Sequence, residues 1–273
     1  MDRDEFFEAL WEDFVEIAPQ AAAIRQKLAE HGEPIVNDHV AFRTFDRAPL
    51  GLDQLEPLLL DLGYEPFADY RFTEKKLRAR AYLCPGAPRI FLSELLVDEL
   101  SAPARQLIDS CVNQARDVIE EAEGEPDAVP SSAEIFCAGR LWNPPRYSDY
   151  ERLAQESEYA AWLCALGLRA NHFTVSINAF RKLTSVEAVL AFVEAAGYAV
   201  NAAGGRVKGS PAVLLEQGST LADRVRVPFA HGEREIPTCY YEFALRHRDA
   251  SGSLFEGFVE TSANRIFEST DRT

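Results

Sequence analysis

The chain has 273 residues, 28 of them Lys or Arg and 44 Asp or Glu, which gives a formal net charge of −16. Its hydrophobic fraction of 47% and charged fraction of 26% exclude a disordered or fibrous chain, and at this length one large domain or two small ones are expected. The negative charge repels phosphate backbones and anionic lipid headgroups, so the composition argues against nucleic-acid and membrane partners.

The N-terminus and the cysteines indicate the compartment. The first seven residues include three acidic side chains where a signal peptide needs a basic start, and no apolar run reaches the length of a membrane span. The five cysteines are odd in number, widely spaced and without a CxxC motif, which argues against a disulfide framework or a cysteine zinc site. We therefore expect a cytoplasmic protein.

The first part of the chain is predicted to contain one helix and then a βαβββ module. Residues 2–31 carry apolar side chains at three- and four-residue steps, which is typical of an amphipathic helix packed on a core. The module extends over about residues 35–97 and begins with a strand rich in β-branched and aromatic residues. A helix that ends at Gly63-Tyr64 follows this strand, and three extended segments complete the module.

A helical insertion and a second module are predicted to follow. Residues from about 99 to 166 favour helices, and Ser148 with Glu151 three residues later matches a capping box for a helix that runs to Gly167. The second βαβββ module extends over about residues 168–247. Residues 248–273 form a C-terminal segment.

The two modules have the same internal spacing. His39 lies on the first predicted strand, 24 residues before Gly63-Tyr64, and His172 lies on its counterpart, 25 residues before Gly197-Tyr198. A single βαβββ unit leaves one sheet face and an edge uncovered, so two copies in one chain predict that each completes the other. We therefore expect an α+β fold in which two pseudo-symmetric modules form a single domain over residues 1–273, with N-terminal and central helical additions.

Two histidines and one glutamate on predicted strands form a candidate metal site. Side chains alternate along a strand, so His39 shares a face with Arg43, and His172 shares a face with three further polar residues. Glu242 lies in an otherwise aromatic and apolar strand, where a buried carboxylate must be paired or bound to a metal. Two imidazoles and one carboxylate are the ligand set that suits Fe(II), with positions left for substrate and oxygen.

Other interpretations of these residues stay open at the level of sequence. Both histidines could be hydrogen-bonded core residues, with Glu242 paired to Arg246 or to Arg43. Glu94 lies in the corresponding final strand of the first module and competes with Glu242 as a ligand. Glu242 is preferred because its neighbours are more apolar, so its burial without a metal would be more unfavourable.

Arg43 is a candidate for binding a substrate carboxylate. Its guanidinium follows His39 by four strand residues, about 13 Å at roughly 3.3 Å per residue, and a long side chain can lean back across that distance. A guanidinium can bind a carboxylate with two parallel hydrogen bonds, which suits a small dicarboxylate. A purely structural arginine is the alternative.

Several segments of the chain resemble the 2-oxoadipate dioxygenase/decarboxylase family, also called hydroxyglutarate synthase, which is related to the vicinal-oxygen-chelate fold. The resemblance extends from about residue 2 to the C-terminus and implies a single catalytic domain in which the two modules form a vicinal-oxygen-chelate-like curved sheet or barrel. The segments that carry it are residues 37–45 (NDHVAFRTF), 142–145 (WNPP), 156–162 (ESEYAAW), 169–174 (RANHFT) and 241–243 (YEF).

The resemblance implies an iron enzyme of lysine catabolism. It implies Fe(II) held by His39, His172 and Glu242, with Arg43 as the catalytic and substrate-binding arginine. The reaction would convert 2-oxoadipate and O₂ to 2-hydroxyglutarate and CO₂. Residues 258–263 resemble a family segment whose backbone contacts substrate, which makes Thr261 and Ser262 further candidate contacts.

Two other classes of function remain alternatives. One is a lyase or isomerase on the same fold that uses a redox-inert divalent metal. The other is a non-enzymatic module that binds a small acid. The chain is considerably shorter than the characterised family members, so the exact diacid is not fixed by the resemblance, and the sequence does not determine the oligomeric state.

Overall fold

The structure is a computed structural model that describes residues 2–123 and 132–260. It is an α+β protein whose chain divides into two compact units. The first unit comprises Met1–Phe14, Ala41–Ala170 and Val225–Ile236, and the second comprises Val15–Val40, Asn171–Arg224 and Pro237–Thr273.

Eight α-helices are present in the described residues. In the part of the chain that the structure describes, no helix is long and apolar enough to cross a membrane. The helices are α1 (Arg3–Ile17), α2 (Pro19–Glu30), α3 (Leu52–Asp61), α4 (Ala102–Glu123), α5 (Ser132–Cys137), α6 (Tyr147–Glu156), α7 (Glu158–Leu166) and α8 (Val186–Ala195).

Ten strands are present in the same residues. They are β1 (Asn37–Phe45), β2 (Glu65–Phe72), β3 (Leu77–Leu83), β4 (Arg89–Leu95), β5 (Ala170–Ser176), β6 (Lys208–Ser210), β7 (Leu215–Ser219), β8 (Arg224–Phe229), β9 (Gly232–Pro237) and β10 (Tyr240–Arg246).

The first unit contains the predicted βαβββ module except for the start of β1, whose residues up to Val40 belong to the second unit. Its strands lie side by side in the order β2-β3-β4-β1, with β3 antiparallel to both β2 and β4. Helix α3 connects β1 to β2 and buries Leu52, Leu55 and Leu59 on one face. Aromatic side chains complete the core of this unit, where the Phe136 ring centroid lies 4.6 Å from that of Phe42 and 6.1 Å from that of Phe6.

The second unit repeats this arrangement. Its strands lie in the order β5-β10-β7-β6, so the first and last strands of the module are neighbours, as they are in the first unit. Strand β10 is parallel to β5 and antiparallel to β7. Helix α8 connects β5 to β6 and begins after Ser185, whose side chain accepts a hydrogen bond from the amide of Ala188. The predicted pair of pseudo-symmetric modules is thereby confirmed.

The prediction of one helix over residues 2–31 was wrong. The structure has two helices, because the backbone leaves the helical conformation at Ala18 (φ −136°, ψ 58°) and Pro19 begins α2. A proline ring fixes φ near its helical value and lacks the amide proton that a first-turn residue does not need, so proline favours a new helix start. The apolar periodicity continues through the break, which is why the sequence pattern did not show it.

Two further details differ from the sequence pattern. The capping box at Ser148 is not formed, because α6 already begins at Tyr147. The observed cap is Ser157, which lies between α6 and α7 and accepts a hydrogen bond from the amide of Ala160 at the start of α7. The hairpin β8–β9 was not predicted. It is inserted between the last two strands of the second module and belongs to the first unit, and Gly232 at its turn has φ +91°.

Candidate metal centre

His39, His172 and Glu242 meet inside the second unit. They lie on β1, β5 and β10, all three are buried, and each offers a ligand atom within 4.8 Å of the others. The parallel pairing of β10 with β5 places Tyr240 opposite His172 and Glu242 opposite Thr174. The amide of Ser176 also donates to the carbonyl of Val36, just before β1 (2.8 Å). The three predicted ligands therefore come together.

Both imidazoles direct the same nitrogen toward the carboxylate. His39 Nε2 lies 3.5 Å from Glu242 Oε1, and His172 Nε2 lies 3.8 Å from Glu242 Oε2. The two rings are nearly perpendicular, with centroids 5.4 Å apart. Two nitrogen donors and one carboxylate thus surround one point, which is the donor set of a two-histidine, one-carboxylate metal centre.

The residue before each histidine fixes the tautomer of that histidine. Asp38 Oδ1 lies 2.7 Å from His39 Nδ1, and Asn171 Oδ1 lies 3.1 Å from His172 Nδ1. Each oxygen accepts the Nδ1 proton, which leaves Nε2 unprotonated and able to bind a metal. The ring of Tyr240 also stacks on His172 at 4.6 Å.

When no cation is present, burial disfavours the ionised form of the Glu242 carboxylate. Burial raises the pKa of Glu242 to about 8, although Gln217 donates a hydrogen bond from Nε2 to Oε1 at 2.6 Å. Among the described residues, no hydrogen bond reaches its Oε2. A divalent cation would supply the missing partner and stabilise the ionised form, so the residues present fit a bound metal.

The ion pair that the sequence left open for Glu242 is formed by another carboxylate. Arg246 donates from Nε to Asp38 Oδ2 at 2.8 Å and from Nη2 to Asp38 Oδ1 at 2.9 Å. Burial acts to raise the pKa of Asp38, but Arg246 and His39 outweigh it and hold this pKa well below its usual range. Asp38 is therefore the ionised carboxylate behind His39.

Glu94 is bound by partners in the first unit and is not part of the triad. Its buried carboxylate accepts hydrogen bonds from the Arg78 side chain and, at 2.6 Å, from the amide of Leu52 at the start of α3. The preference for Glu242 over Glu94 thus agrees with the contacts of both residues.

Arg43 lies in the first unit and is only 2% exposed. Its Cζ atom lies 5.0 Å from the ring centroid of Tyr159 and 4.9 Å from that of Trp162, within the range of cation–π attraction. The other two predicted substrate contacts, Thr261 and Ser262, lie outside the described residues. The substrate-binding roles of all three residues stay predictions.

The residues that orient the ligands were not assigned a role from sequence. A signal was present, because each strand histidine follows a residue with a side-chain oxygen: Asp38 before His39 and Asn171 before His172. The contribution of Gln217 could not be found this way, because it depends on β7 lying beside β10.

Comparison with known proteins identifies the family. A family model described as 2-oxoadipate dioxygenase/decarboxylase matches residues 9–253. The chloroplastic 2-oxoadipate dioxygenase/decarboxylase of Arabidopsis thaliana is 36% identical over 261 residues, which cover 85% of this chain and 67% of that protein.

Solved structures agree with this identification. The hydroxyglutarate synthase of Oryza sativa, crystallised with 2-oxoadipate, is 32% identical with a TM-score of 0.87, covering 98% of this chain and 91% of that one. A Shewanella frigidimarina structure, which is described as a hydrolase and so supports the fold and not the activity, is 44% identical (TM-score 0.85, coverage 95% and 98%). A glyoxalase-superfamily protein of Ralstonia eutropha is 25% identical (TM-score 0.72, coverage 93% and 84%), in agreement with the predicted vicinal-oxygen-chelate-like fold. The chain is an enzyme and belongs to the 2-oxoadipate dioxygenase/decarboxylase family.

Proposed function

We propose that this enzyme is an Fe(II)-dependent dioxygenase that converts 2-oxoadipate, or a similar 2-oxo diacid, and O₂ to 2-hydroxyglutarate and CO₂ in lysine catabolism. The observation that carries the proposal is the buried triad of His39, His172 and Glu242. The names of its relatives and the 2-oxoadipate in the rice structure support the substrate. The cytoplasmic location stays a prediction.

The triad would hold the iron through two imidazole nitrogens and one carboxylate. A bound Fe(II) ion supplies the one-electron chemistry with O₂ that side chains lack, and this ligand set leaves positions for substrate and oxygen. Iron is favoured over zinc because zinc offers no redox chemistry for an oxidative decarboxylation.

The protein residues around the triad keep its geometry fixed. Asp38 and Asn171 hold the Nδ1 protons of the two histidines, and Gln217 orients the Glu242 carboxylate. All three ligands are almost inaccessible to solvent, so water is largely excluded from their surroundings. Electrostatic interactions in such a site are stronger than in water.

We assign substrate binding to Arg43, with Thr261 and Ser262 as further contacts. A 2-oxo diacid carries a second carboxylate at the far end of its chain, and a guanidinium can hold that group with two hydrogen bonds. The protein has a net charge of −16, so the substrate dianion must be attracted by local cations and not by the overall field. The assignment makes positioning of the substrate the main task of the protein.

The test is turnover by the purified protein after anaerobic loading with Fe(II). We expect O₂ uptake matched by CO₂ release, and 2-hydroxyglutarate as the product from 2-oxoadipate. The five-carbon and seven-carbon 2-oxo diacids, supplied in parallel, measure the preference for chain length. Absence of turnover with all three acids would refute the substrate class.

The same experiment separates the dioxygenase from a lyase or isomerase. Product formation that continues without O₂ and with a redox-inert metal would select the second class. Metal analysis of protein isolated without added metal is the complementary measurement, and a full complement of a metal other than iron would contradict the proposed chemistry.

A further inference from the structure

The guanidinium of Arg246 is buried behind the metal centre and binds two different parts of the chain. Its Nε and Nη2 donate to the two carboxylate oxygens of Asp38, at 2.8 and 2.9 Å. Its Nη1 donates to the backbone carbonyls of Phe255 (3.0 Å) and Gly257 (2.7 Å). One side chain thus connects the end of β10 both to β1 and to the segment that follows β10, all within the second unit.

Asp38 connects Arg246 to His39, one of the proposed metal ligands. The Asp38 oxygen that accepts from Arg246 Nη2 also accepts the Nδ1 proton of His39, at 2.7 Å. A carboxylate held by a two-point guanidinium contact cannot rotate, so the proton acceptor for His39 keeps a fixed direction. The ring orientation of His39 therefore depends on Arg246.

The segment after β10 contacts the same imidazole from another direction. The ring of Phe258 lies edge-to-face with His39, with centroids 4.8 Å apart, and 5.2 Å from the Cζ atom of Arg246. Arg246 holds the two carbonyls just before Phe258, so it also determines where this ring lies. Two of the contacts on His39, the one at Nδ1 and the one with Phe258, therefore depend on one guanidinium.

We propose that Arg246 is a positioning residue for the metal centre, which it orients through Asp38, and that it couples metal binding to the seating of residues 255–258 against His39. A buried ion pair is weak support for stability alone, because removing two charges from water offsets most of their attraction. The main effect that we assign to the pair of Arg246 and Asp38 is to fix the orientation of His39. The inference rests on the metal centre of the proposed function, but on neither the iron nor the substrate.

The coupling is reciprocal. If a seated segment 255–258 favours the metal-binding orientation of His39, then a bound metal must favour the seated segment by the same free energy. Metal affinity and the order of this segment should therefore change together when Arg246 is changed.

The first experiment measures metal affinity in variants of the pair. We expect Asp38→Asn and Arg246→Lys to weaken Co²⁺ binding by about 10- to 100-fold, the effect typical of losing a partner of a ligating histidine. Lysine keeps the charge but cannot form the two-point contact. Affinity is measured by titrating the metal-free, full-length protein with Co²⁺ and following its visible absorbance, after circular dichroism has shown that each variant is folded.

The chain provides matched controls in the first unit. Glu94→Gln and Arg78→Lys alter another buried carboxylate that is bound by an arginine. These variants should lose thermal stability but keep the Co²⁺ affinity and spectrum of the unaltered protein. If Arg246→Lys and Asp38→Asn also keep that affinity, Arg246 has only a structural role and the proposal fails.

The second experiment tests the coupling by amide hydrogen exchange, with peptides that cover residues 255–258. Co²⁺ should slow exchange there in the unaltered protein, should slow it much less in Arg246→Lys, and should keep its full effect in Arg78→Lys. Exchange that Co²⁺ does not change in the unaltered protein would overturn the coupling. If Arg246→Lys does not fold, Asp38→Asn is judged by the same criteria.

The outcomes distinguish this inference from the proposed function. Absence of turnover with 2-oxo diacids leaves the Co²⁺ measurements valid. Absence of Co²⁺ binding by the unaltered protein would refute the metal centre itself, and with it both proposals. Unchanged affinity in the variants, in a protein that does bind Co²⁺, would refute the inference alone.

Discussion

His39 and His172 have the same tautomer but different partners. The acceptor is the carboxylate of Asp38 for His39 and the amide oxygen of Asn171 for His172. A hydrogen bond to a charged acceptor is about twice as strong as one to a neutral acceptor, so His39 is the more firmly oriented ligand. Each histidine nevertheless supplies one of three donors, and a centre with only two donors should bind a metal weakly.

Replacing His172 by alanine tests whether all three donors are needed for metal binding. We expect His172→Ala to reduce metal affinity by more than about 100-fold, beyond the 10- to 100-fold effect of altering a partner of a ligand. His247→Ala is the control, because His247 lies in the same unit but contacts Glu216 (2.7 Å) and not the triad. Metal content after loading with Fe(II) and desalting is the measurement. Equal metal content in the two variants would contradict the ligand assignment.

Arg43 should separate substrate binding from metal binding. In Arg43→Lys the charge remains but the two-point contact is lost, so we expect the Kd for 2-oxoadipate to rise at least about tenfold, or about 1.4 kcal/mol, with metal content unchanged. Arg169→Lys is the control, since Arg169 forms a partly buried ion pair with Asp13 (3.1 Å) in the same unit. Parallel loss of metal and substrate in Arg43→Lys would be incompatible with a role in substrate binding alone.

At the scale of elements, the order of helices and strands could be predicted wherever side-chain periodicity reports burial directly. The β-branched and aromatic residues indicated β1, and the helix-spaced leucines indicated α3. The break at Pro19 and the cap at Ser157 could not be predicted in this way, because the apolar pattern continues across both positions. These boundaries depend on backbone hydrogen bonds, which composition does not report.

Glu33 illustrates a boundary that is stabilised by a distant residue. It follows α2, is buried, and accepts hydrogen bonds from the amides of Arg181 (2.6 Å), Lys182 (3.0 Å) and Leu183 (2.8 Å), ahead of α8. Burial acts to raise the pKa of Glu33, but the amide donors outweigh it and hold this pKa below its ordinary value of 4.5. The ionised carboxylate therefore stabilises the fold above that pH.

We expect Glu33→Ala to lower the free energy of unfolding at neutral pH by about 1–3 kcal/mol, because three backbone amides lose a charged acceptor in part-buried hydrogen bonds. Because the pKa of Glu33 is lower in the folded protein than its ordinary value of 4.5, its contribution to stability is complete above pH 4.5. This contribution is lost as the pH falls through the folded-state pKa. The difference from the unaltered protein should therefore shrink in acid. Urea unfolding at several pH values measures it, with the exposed Glu30→Ala as control. A difference that does not vary with pH would rule out the charge as its source.

For the whole molecule, the repeat carries most of the functional information in the sequence. The matching positions of His39 and His172 predicted two members of the buried triad, and the apolar surroundings of Glu242 predicted the third. The residues that orient these ligands could not all be predicted. Gln217 contacts the site only because β7 pairs with β10, and Arg246 does so only because its side chain reaches Asp38 on β1, 208 residues earlier in the chain.

Metal binding should stabilise the folded protein as a whole. A ligand that binds only the native state adds about 2.7 kcal/mol to the free energy of unfolding at 100 times its Kd. We expect Co²⁺ to raise the urea concentration at the unfolding midpoint of the unaltered protein. In His172→Ala we expect Co²⁺ to cause no such increase. The substitution should change the midpoint of the metal-free protein by less than this lost increase. An equal increase in both proteins would place the binding site elsewhere.

The last strand of each module contains one buried glutamate, and the two carboxylates have different partners. Glu94 faces Arg78 across the ladder between β3 and β4, whereas Glu242 faces Ser219 across the ladder between β7 and β10. The first carboxylate is paired with an arginine of the same chain, whereas the proposed function pairs the second with a metal ion taken from solution. Removing the metal should therefore leave the pair of Glu94 and Arg78 intact, while Glu242 loses its cation in a site to which each module contributes one histidine.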